Sequence, residues 1–302
     1  MKNVSIQGII PPILTPMNAD ESINEQELRS QVNREIEAGV HGIFAFGTNG
    51  EAYALSAAEK DRVLEVVIEE TNHRVLVYAG TGCITTKETI EMSKKAAAMG
   101  ADVLSIITPY FAAASQDELY AHYMAVAEAV DLPIVLYNIP ARTGNALSPA
   151  TVAKLAKNAP NIVGAKDSSG NFDNLKQYIE QTRGLDKEFS VLSGNDSLIL
   201  PALVFGGKGG IAGCANVFPG TMVEIYEAYM AGDLERAMRV QDSIRPLRAV
   251  FQYGNPNTII KIAAGLLGYP VGSCRKPFCQ LSDQGMEALK KALELCKANG
   301  LR

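Results

Sequence analysis

The chain has 302 residues, 47% of them hydrophobic, and a formal net charge of −5. A chain of this length can bury a large core, and α/β barrels of this size are routinely one domain. The acidic balance gives no electrostatic basis for binding nucleic acid or an anionic membrane, so we expect a small-molecule partner.

The cysteines and the N-terminal residues indicate the compartment. The five cysteines are an odd and scattered set, which favours reduced thiols over a disulfide framework: Cys83, Cys214, Cys274, Cys279 and Cys296. The first residues contain no apolar segment typical of a signal peptide, and no stretch reaches the ~18 apolar residues of a membrane span. We therefore expect a cytoplasmic protein.

Short apolar runs alternate with amphipathic segments along most of the chain. The apolar runs predict strands over residues 8–13, 42–46, 75–79, 103–107, 134–137, 162–166, 189–192 and 210–212. Ser56, Thr85 and Ser115 are each followed by glutamate three residues later, which is the capping box of a helix start. Further helices are predicted over residues 24–38, from Ser148-Pro149 onward, and over 197–205, 221–231, 234–251, 258–267 and 282–298.

Eight βα units with short loops favour an α/β fold of the (β/α)8 barrel type, with a helical C-terminal extension. We predict a catalytic barrel over residues 1–225 and a helical extension over 226–302 packed on it. In such barrels the chemistry lies on the loops at the carboxyl ends of the strands.

The stretch 161–167 ends a buried strand with a lysine, Lys166. Burial disfavours the ammonium form of an amine, and a neutral amine is a nucleophile. In a second interpretation, Lys166 has left the strand and pairs with Asp167 in solvent. This stretch alone does not separate the two.

Other strand ends carry candidate binding groups. The loop from Gly47 to Gly50 includes Thr48 and Asn49, and its backbone amides could hold a carboxylate, although ordinary tight loops have the same composition. Tyr137 ends a strand where a phenol could carry protons or simply complete the core. Arg142 could bind a second carboxylate or be solvated.

Several patterns do not support a cofactor or a metal. The glycine-rich residues 205–210 precede a strand and lack the Gly-Lys-Ser/Thr ending of a phosphate-binding loop. The histidines are far apart, and Cys274 with Cys279 lacks metal-type spacing, so no metal site is expected. No cofactor is indicated.

Taken together, the motifs resemble those of the dihydrodipicolinate synthase and N-acetylneuraminate lyase family, which are pyruvate-dependent class I aldolases on (β/α)8 barrels. The resemblance covers nearly the whole chain. It rests on the loop Gly47-Thr48-x-Gly50-Glu51, Tyr137-Asn138-x-Pro140, Gly164-x-Lys166-Asp167, Ser193-Gly194-Asn195-Asp196, and Asn255-Pro256 ahead of Lys261.

The resemblance implies roles for these residues. Lys166 would form a Schiff base with the keto carbon of pyruvate, and Tyr137 would relay protons. Thr48 and the amides of Gly47 and Asn49 would hold the pyruvate carboxylate. Gly194 and Ile211 would line the pocket, and the chain would assemble as a homotetramer of tight dimers.

Within the family, Arg142 matches the arginine of the synthase branch, which binds the carboxylate of aspartate semialdehyde. This favours condensation of pyruvate with L-aspartate-4-semialdehyde to 4-hydroxy-tetrahydrodipicolinate, a step of lysine biosynthesis. Two positions depart from that branch. Asn49 stands where a second threonine is usual, and an amide does not relay a proton as a hydroxyl does. Phe111 stands where the neighbouring subunit usually contributes a tyrosine.

Tyr110 is not an automatic substitute for that tyrosine, because adjacent residues in an extended segment point opposite ways. The lysine feedback site of bacterial synthases also differs here, with Ile84 in place of a common asparagine and Ala57 and Lys60 in place of common histidines. We therefore expect weak or absent inhibition by lysine.

Two alternatives remain open at this point. One is an aldolase or dehydratase of a 2-keto-3-deoxy sugar acid or of N-acetylneuraminate. The other is a non-catalytic protein that still binds a keto acid, which an intact Lys166 and Tyr137 disfavour.

Overall fold

The structure is a computed structural model that describes residues 4–302. The described residues form eight strands: β1 (Gly8–Ile10), β2 (Gly42–Ala45), β3 (Leu76–Gly80), β4 (Val103–Ile107), β5 (Ile134–Asn138), β6 (Ile162–Asp167), β7 (Ser190–Ser193) and β8 (Gly209–Ile211). All eight predicted strands are present, with boundaries that differ by a few residues.

The helices alternate with these strands and continue beyond β8. They are α1 (Glu25–Glu37), α2 (Ala57–Thr71), α3 (Thr86–Met99), α4 (Gln116–Ala129), α5 (Pro140–Thr143), α6 (Pro149–Asn158), α7 (Phe172–Thr182), α8 (Ile199–Val204), α9 (Pro219–Met230), α10 (Leu234–Ser243), α11 (Arg245–Ala249), α12 (Pro256–Leu266) and α13 (Asp283–Ala298). None of them is long and apolar enough, over the described residues, to cross a membrane.

The eight strands form one sheet in the order β1-β8-β7-β6-β5-β4-β3-β2. The pairs from β3 to β8 are all parallel. The two ends of this order are joined as well, because the Ile13 N–H donates to Phe44 O at 3.1 Å and the Phe44 N–H donates to Pro11 O at 3.0 Å. A sheet closed in this way is a barrel, and the predicted (β/α)8 fold is confirmed.

The predicted caps account for the helix starts. Ser56 and Ser115 each accept a hydrogen bond from the glutamate N–H three residues later, while that glutamate side chain accepts from the cap N–H. Thr85 accepts from the Glu88 N–H in the same way. These contacts satisfy amides that have no partner inside the helix.

One predicted helix is interrupted. The segment 234–251, predicted as a single helix, divides into α10 and α11 at Ser243 to Arg245 and ends in a 3₁₀ turn, Val250–Tyr253. The reason is Pro246 in the first turn of α11, since proline lacks the N–H that a continuous helix needs and clashes with the preceding turn.

The chain divides into two compact units. One contains residues up to Gly8 together with Leu76–Ile211, and the other contains Ile9–Val75 together with Ala212–Arg302. We call them the central unit and the terminal unit. The predicted boundary between residues 225 and 226 stays a prediction.

Candidate active site

Lys166 lies inside strand β6 of the central unit and is only 3% exposed. The alternative in which it leaves the strand to pair with Asp167 in solvent is wrong. The Asp167 carboxylate accepts hydrogen bonds from Asn138 Nδ2 and Ser169 Oγ, both at 2.7 Å. Asp167 is itself buried, and alternation along a strand directs it away from its neighbour.

Tyr137 is the residue that the fold places beside this amine. Strands β5 and β6 run parallel with Tyr137 opposite Lys166. The Lys166 Nζ lies 3.8 Å from the centre of the Tyr137 ring, and Tyr137 is 4% exposed. An amine at this distance interacts favourably with the ring face when it is charged. Tyr137 therefore faces the candidate nucleophile as well as completing the core.

Gly194 follows β7 and leaves room beside the lysine. A Cβ at this position would overlap Ser168 Oγ and lie 2.9 Å from Lys166 Cε. The Gly194 N–H donates to Asp167 O at 2.8 Å, which fixes the backbone at this close approach. A side chain here would overlap Ser168 and crowd the end of Lys166, and the lining role of Gly194 stays a prediction.

Ser168 is a residue of this region that the sequence reading missed. Its Oγ is buried against Gly194 and has no hydrogen-bond partner among the described residues. A buried hydroxyl without a partner is unfavourable, so it suits a pocket in which a ligand supplies the partner. The available signal was its position two residues after Lys166, since side chains at i and i+2 of an extended segment share a face.

The other predicted residues of the central unit lie at neighbouring strand ends. Ile211 is the last residue of β8 and is buried. Ser193 pairs with Gly210, so the register places Ile211 level with Gly194. Arg142 lies on the short helix α5 directly after β5 and is exposed.

The loop after β4 carries Tyr110 and Phe111 in different environments. Burial, and after it the charges of Cys83 and Glu88, raises the pKa of Tyr110 above its ordinary value. Phe111 is 98% exposed and has a φ of +76°, which is rare for a bulky residue.

Asn145 holds this loop. Its Nδ2 donates to Pro109 O and Ala112 O, and its Oδ1 accepts from the Ala114 N–H, all at 2.8 Å. Phe111 therefore projects from a loop that is fixed on both sides, and its unusual φ is maintained by the surrounding hydrogen bonds.

Gly47, Thr48 and Asn49 belong to the terminal unit, in the loop after β2. Gly47 is buried, and a Cβ there would lie 2.9 Å from Pro12 Cβ, so this position also requires glycine.

The Thr48 carbonyl accepts from Asn257 Nδ2 at 2.6 Å and from the Glu51 N–H at 3.1 Å. The described residues provide no hydrogen-bond acceptor for the backbone N–H groups of Asn49 and Gly50. Successive backbone amides in a turn are the donor groups from which anion-binding concavities are built.

Within residues 4–302 there is no group of three or more histidine, cysteine, aspartate or glutamate side chains placed to hold a metal ion. The five cysteines are free thiols in the described part of the chain.

Comparison with known proteins gives consistent matches over almost the full length. The model of the dihydrodipicolinate synthetase family matches residues 5–296. A 4-hydroxy-tetrahydrodipicolinate synthase from Methanopyrus kandleri is 44% identical over 291 residues, covering 96% of both chains. An uncharacterized DapA-like lyase from Halobacterium salinarum is 37% identical, covering 96% of this chain and 94% of the relative.

A solved structure shares the fold. YagE from E. coli K12, a protein of the dihydrodipicolinic acid synthase family determined in complex with pyruvate, aligns with a TM-score of 0.93 at 33% identity. The alignment covers 97% of this chain and 99% of YagE.

Proposed function

We propose that this chain, which belongs to the dihydrodipicolinate synthetase family of class I pyruvate-dependent lyases, condenses pyruvate with L-aspartate-4-semialdehyde to 4-hydroxy-tetrahydrodipicolinate. The observation that carries the proposal is the buried Lys166 with its Nζ 3.8 Å from the centre of the Tyr137 ring. The relative from Methanopyrus kandleri supports the choice of substrate.

The chemistry begins at Lys166. Its neutral amine adds to the keto carbon of pyruvate, and water leaves to give an iminium ion. The iminium draws electrons from the methyl group, which loses a proton and becomes the nucleophilic carbon of an enamine. That carbon attacks the aldehyde, and the aldehyde oxygen takes a proton and becomes the 4-hydroxyl group. The amino group of the same substrate then attacks the remaining iminium carbon, which closes the ring and releases the lysine amine. Tyr137 carries protons between these steps.

The remaining residues bind and shape the substrates. Thr48 and the amides of its loop hold the pyruvate carboxylate. Arg142 binds the carboxylate of the aldehyde through a bidentate interaction, for which the planar guanidinium is suited. Gly194 and Ile211 line the pocket. No resident cofactor is part of this proposal.

The assembly is part of the same proposal. A homotetramer of tight dimers would cover Phe111, which is 98% exposed on a loop held by Asn145. Phe111→Asp should therefore shift the sedimentation of the protein toward smaller species, because a charge cannot enter an apolar contact without a partner. A wild-type chain that sediments as a monomer would overturn the assembly but leave the chemistry intact. The cytoplasmic location stays a prediction.

A second candidate is a lyase of a 2-keto-3-deoxy sugar acid or of N-acetylneuraminate. The buried Ser168 hydroxyl favours it, because a hydroxyl of a sugar acid could supply the missing hydrogen-bond partner. Asn49 and Phe111, which depart from the synthase branch, agree with it. The uncharacterized lyase from Halobacterium salinarum shows that related chains include proteins without an assigned substrate.

The deciding experiment compares kcat/KM for condensation of pyruvate with aspartate semialdehyde against cleavage of 2-keto-3-deoxygluconate and N-acetylneuraminate. A preference of more than about tenfold for condensation, roughly 1.4 kcal/mol in transition-state free energy, supports the synthase. A preference for a sugar acid supports the second candidate.

Two variants test the chemistry. Lys166→Ala should abolish covalent trapping of pyruvate by borohydride. Tyr137→Phe should keep trapping but lower kcat by about 10²-fold or more, because the proton carrier is lost. Tyr120→Phe, on the outer helix α4, is the matched control. If borohydride does not trap pyruvate on the wild-type protein, the Schiff-base chemistry is refuted. The alternative of a non-catalytic protein that binds a keto acid would then be favoured.

A further inference from the structure

The loop Gly47–Glu51 of the terminal unit is fastened by side chains to which the proposed chemistry gives no role. Its last residue, Glu51, has a φ of +57°, a conformation that only a well-determined surrounding maintains in a residue with a side chain. The inference below rests on the proposed function, since that function places the substrate carboxylate on Thr48 of this loop.

A buried ion pair fixes Glu51. The Lys261 Nζ of α12 lies 2.5 Å from Glu51 Oε1, and both side chains are completely buried. The second oxygen, Oε2, accepts from the Arg275 N–H at 2.9 Å, and Lys261 also donates to Ser273 O at 3.1 Å. The surroundings are dry: burial, and after it the charge of Glu51, raises the pKa of Cys274 to about 12.

A buried pair of this kind contributes little net stability, because removing both charges from water offsets their attraction. Its geometric effect is larger, since neither side chain can leave without exposing the other as an unpaired buried charge.

The same helix holds the other end of the loop. Asn257 lies one turn before Lys261, so both side chains point to the same side of α12. The Asn257 Nδ2 donates to Thr48 O at 2.6 Å. Between these two contacts, Thr15 Oγ1 donates to Gly50 O at 2.7 Å. Two carbonyls of the loop, those of Thr48 and Gly50, therefore accept from side chains, whereas the Asn49 and Gly50 amides have no acceptor among the described residues and are available to an anion.

We propose that Lys261, Glu51 and Asn257 are positioning residues that hold the loop Gly47–Glu51 in the shape that receives the substrate carboxylate. The Lys261 charge is neutralised by Glu51 and does not bind the substrate directly. Selection for a carboxylate thus depends on residues that do not touch it.

The test measures how strongly the enzyme prefers a carboxylate. Borohydride trapping on Lys166 is followed by mass spectrometry at varied concentrations of pyruvate and of methyl pyruvate, which has the same keto group but no carboxylate. The main variant is Glu51→Met with Lys261→Met, in which an apolar pair of similar size leaves no unpaired buried charge. Asn257→Ala is the second variant, because it removes the hydrogen bond from Asn257 Nδ2 to Thr48 O and leaves the ion pair between Glu51 and Lys261 in place.

The matched control replaces Glu287 and Lys291 of α13 by methionine. This pair has a similar separation of 2.7 Å but is exposed. Circular dichroism and thermal unfolding establish that each variant is folded.

We expect the preference for pyruvate over methyl pyruvate to fall about tenfold or more in the main variant, with labelling by methyl pyruvate unchanged, because only carboxylate binding is lost. Asn257→Ala should lower the same ratio, and the α13 control should not. The inference is overturned if the main variant folds and keeps the wild-type preference for pyruvate over methyl pyruvate. If the main variant does not fold, a wild-type preference in Asn257→Ala overturns it. Wild-type protein that neither compound labels instead shows that the proposed function has failed.

Discussion

At the scale of single residues, Gly194 is the position where one added methyl group should disturb the candidate nucleophile directly. Gly194→Ala places a Cβ 2.9 Å from Lys166 Cε and into Ser168 Oγ. The Ser168 side chain must move and the end of the lysine must shift with it, and misplacing a reacting group lowers the rate. We therefore expect kcat/KM and borohydride trapping to fall together. Gly265→Ala is the control, because no atom lies within 4 Å of its added Cβ. Full trapping in a folded Gly194→Ala protein would contradict the assignment.

Glu35 of α1 gives a prediction about pH. Its side chain is completely buried, neither carboxyl oxygen has a partner in the described part of the chain, and burial raises its pKa well above the usual value. The folded state therefore holds this proton more tightly than the unfolded state. The contribution of the protonated Glu35 to the free energy of unfolding is fully present below the pKa that Glu35 has in the unfolded chain. This contribution is lost as the pH rises toward the pKa of Glu35 in the folded protein.

Glu35→Gln removes this dependence. We expect the variant and the wild type to have similar free energies of unfolding near pH 4. Above that, the variant should gain about 1.4 kcal/mol per pH unit relative to the wild type until the folded pKa is reached. Urea unfolding from pH 4 to pH 8 measures the difference, with Glu37→Gln on the exposed side of the same helix as the control. If the free energies of unfolding of Glu35→Gln and the wild type change with pH in parallel, the prediction for Glu35 is refuted.

At the scale of elements, Asn145 determines whether the loop after β4 keeps its shape. Asn145→Ala removes three partly buried hydrogen bonds, each contributing about 1 kcal/mol. Amide hydrogen exchange of residues 110–114 should accelerate at least about tenfold, while α4 remains protected. Asn158→Ala, which removes one exposed hydrogen bond to Tyr120, should have no such effect. Unchanged exchange in Asn145→Ala would mean that other contacts hold the loop.

The elements also show what sequence patterns could and could not predict. Capping boxes and apolar runs identified strands and helix starts, because those signals are local. Helix α7 went unpredicted, since its cap Asn171 accepts from the next amides without the glutamate of a full box. The break at Pro246 was missed because the apolar period continues across it. In the site, Lys166 and Tyr137 could be predicted as strand ends, whereas the space at Gly194 depends on a contact with Ser168 that forms only in the fold.

At the scale of the whole molecule, regulation by the end product of lysine biosynthesis is predicted to be weak. Ile84, where bacterial synthases commonly have an asparagine, is 46% exposed and offers no hydrogen bond from its side chain. We expect no inhibition up to about 1 mM lysine, which corresponds to a binding free energy of about 4 kcal/mol. Condensation rates at increasing lysine measure this, and half-maximal inhibition below that concentration would show that other residues form the site.

The division into two units has a consequence for how the protein is made. The central unit ends at Ile211, so all of it has been synthesised once Ile211 has left the ribosome. The terminal unit combines Ile9–Val75 with Ala212–Arg302, so it stays incomplete until the residues after Ile211 have also been translated. Glu51 must wait for Lys261, which is 210 residues later in the chain (261 − 51). During that interval its carboxylate remains in water, and the loop proposed to bind the substrate should be among the last parts of the nascent chain to take shape.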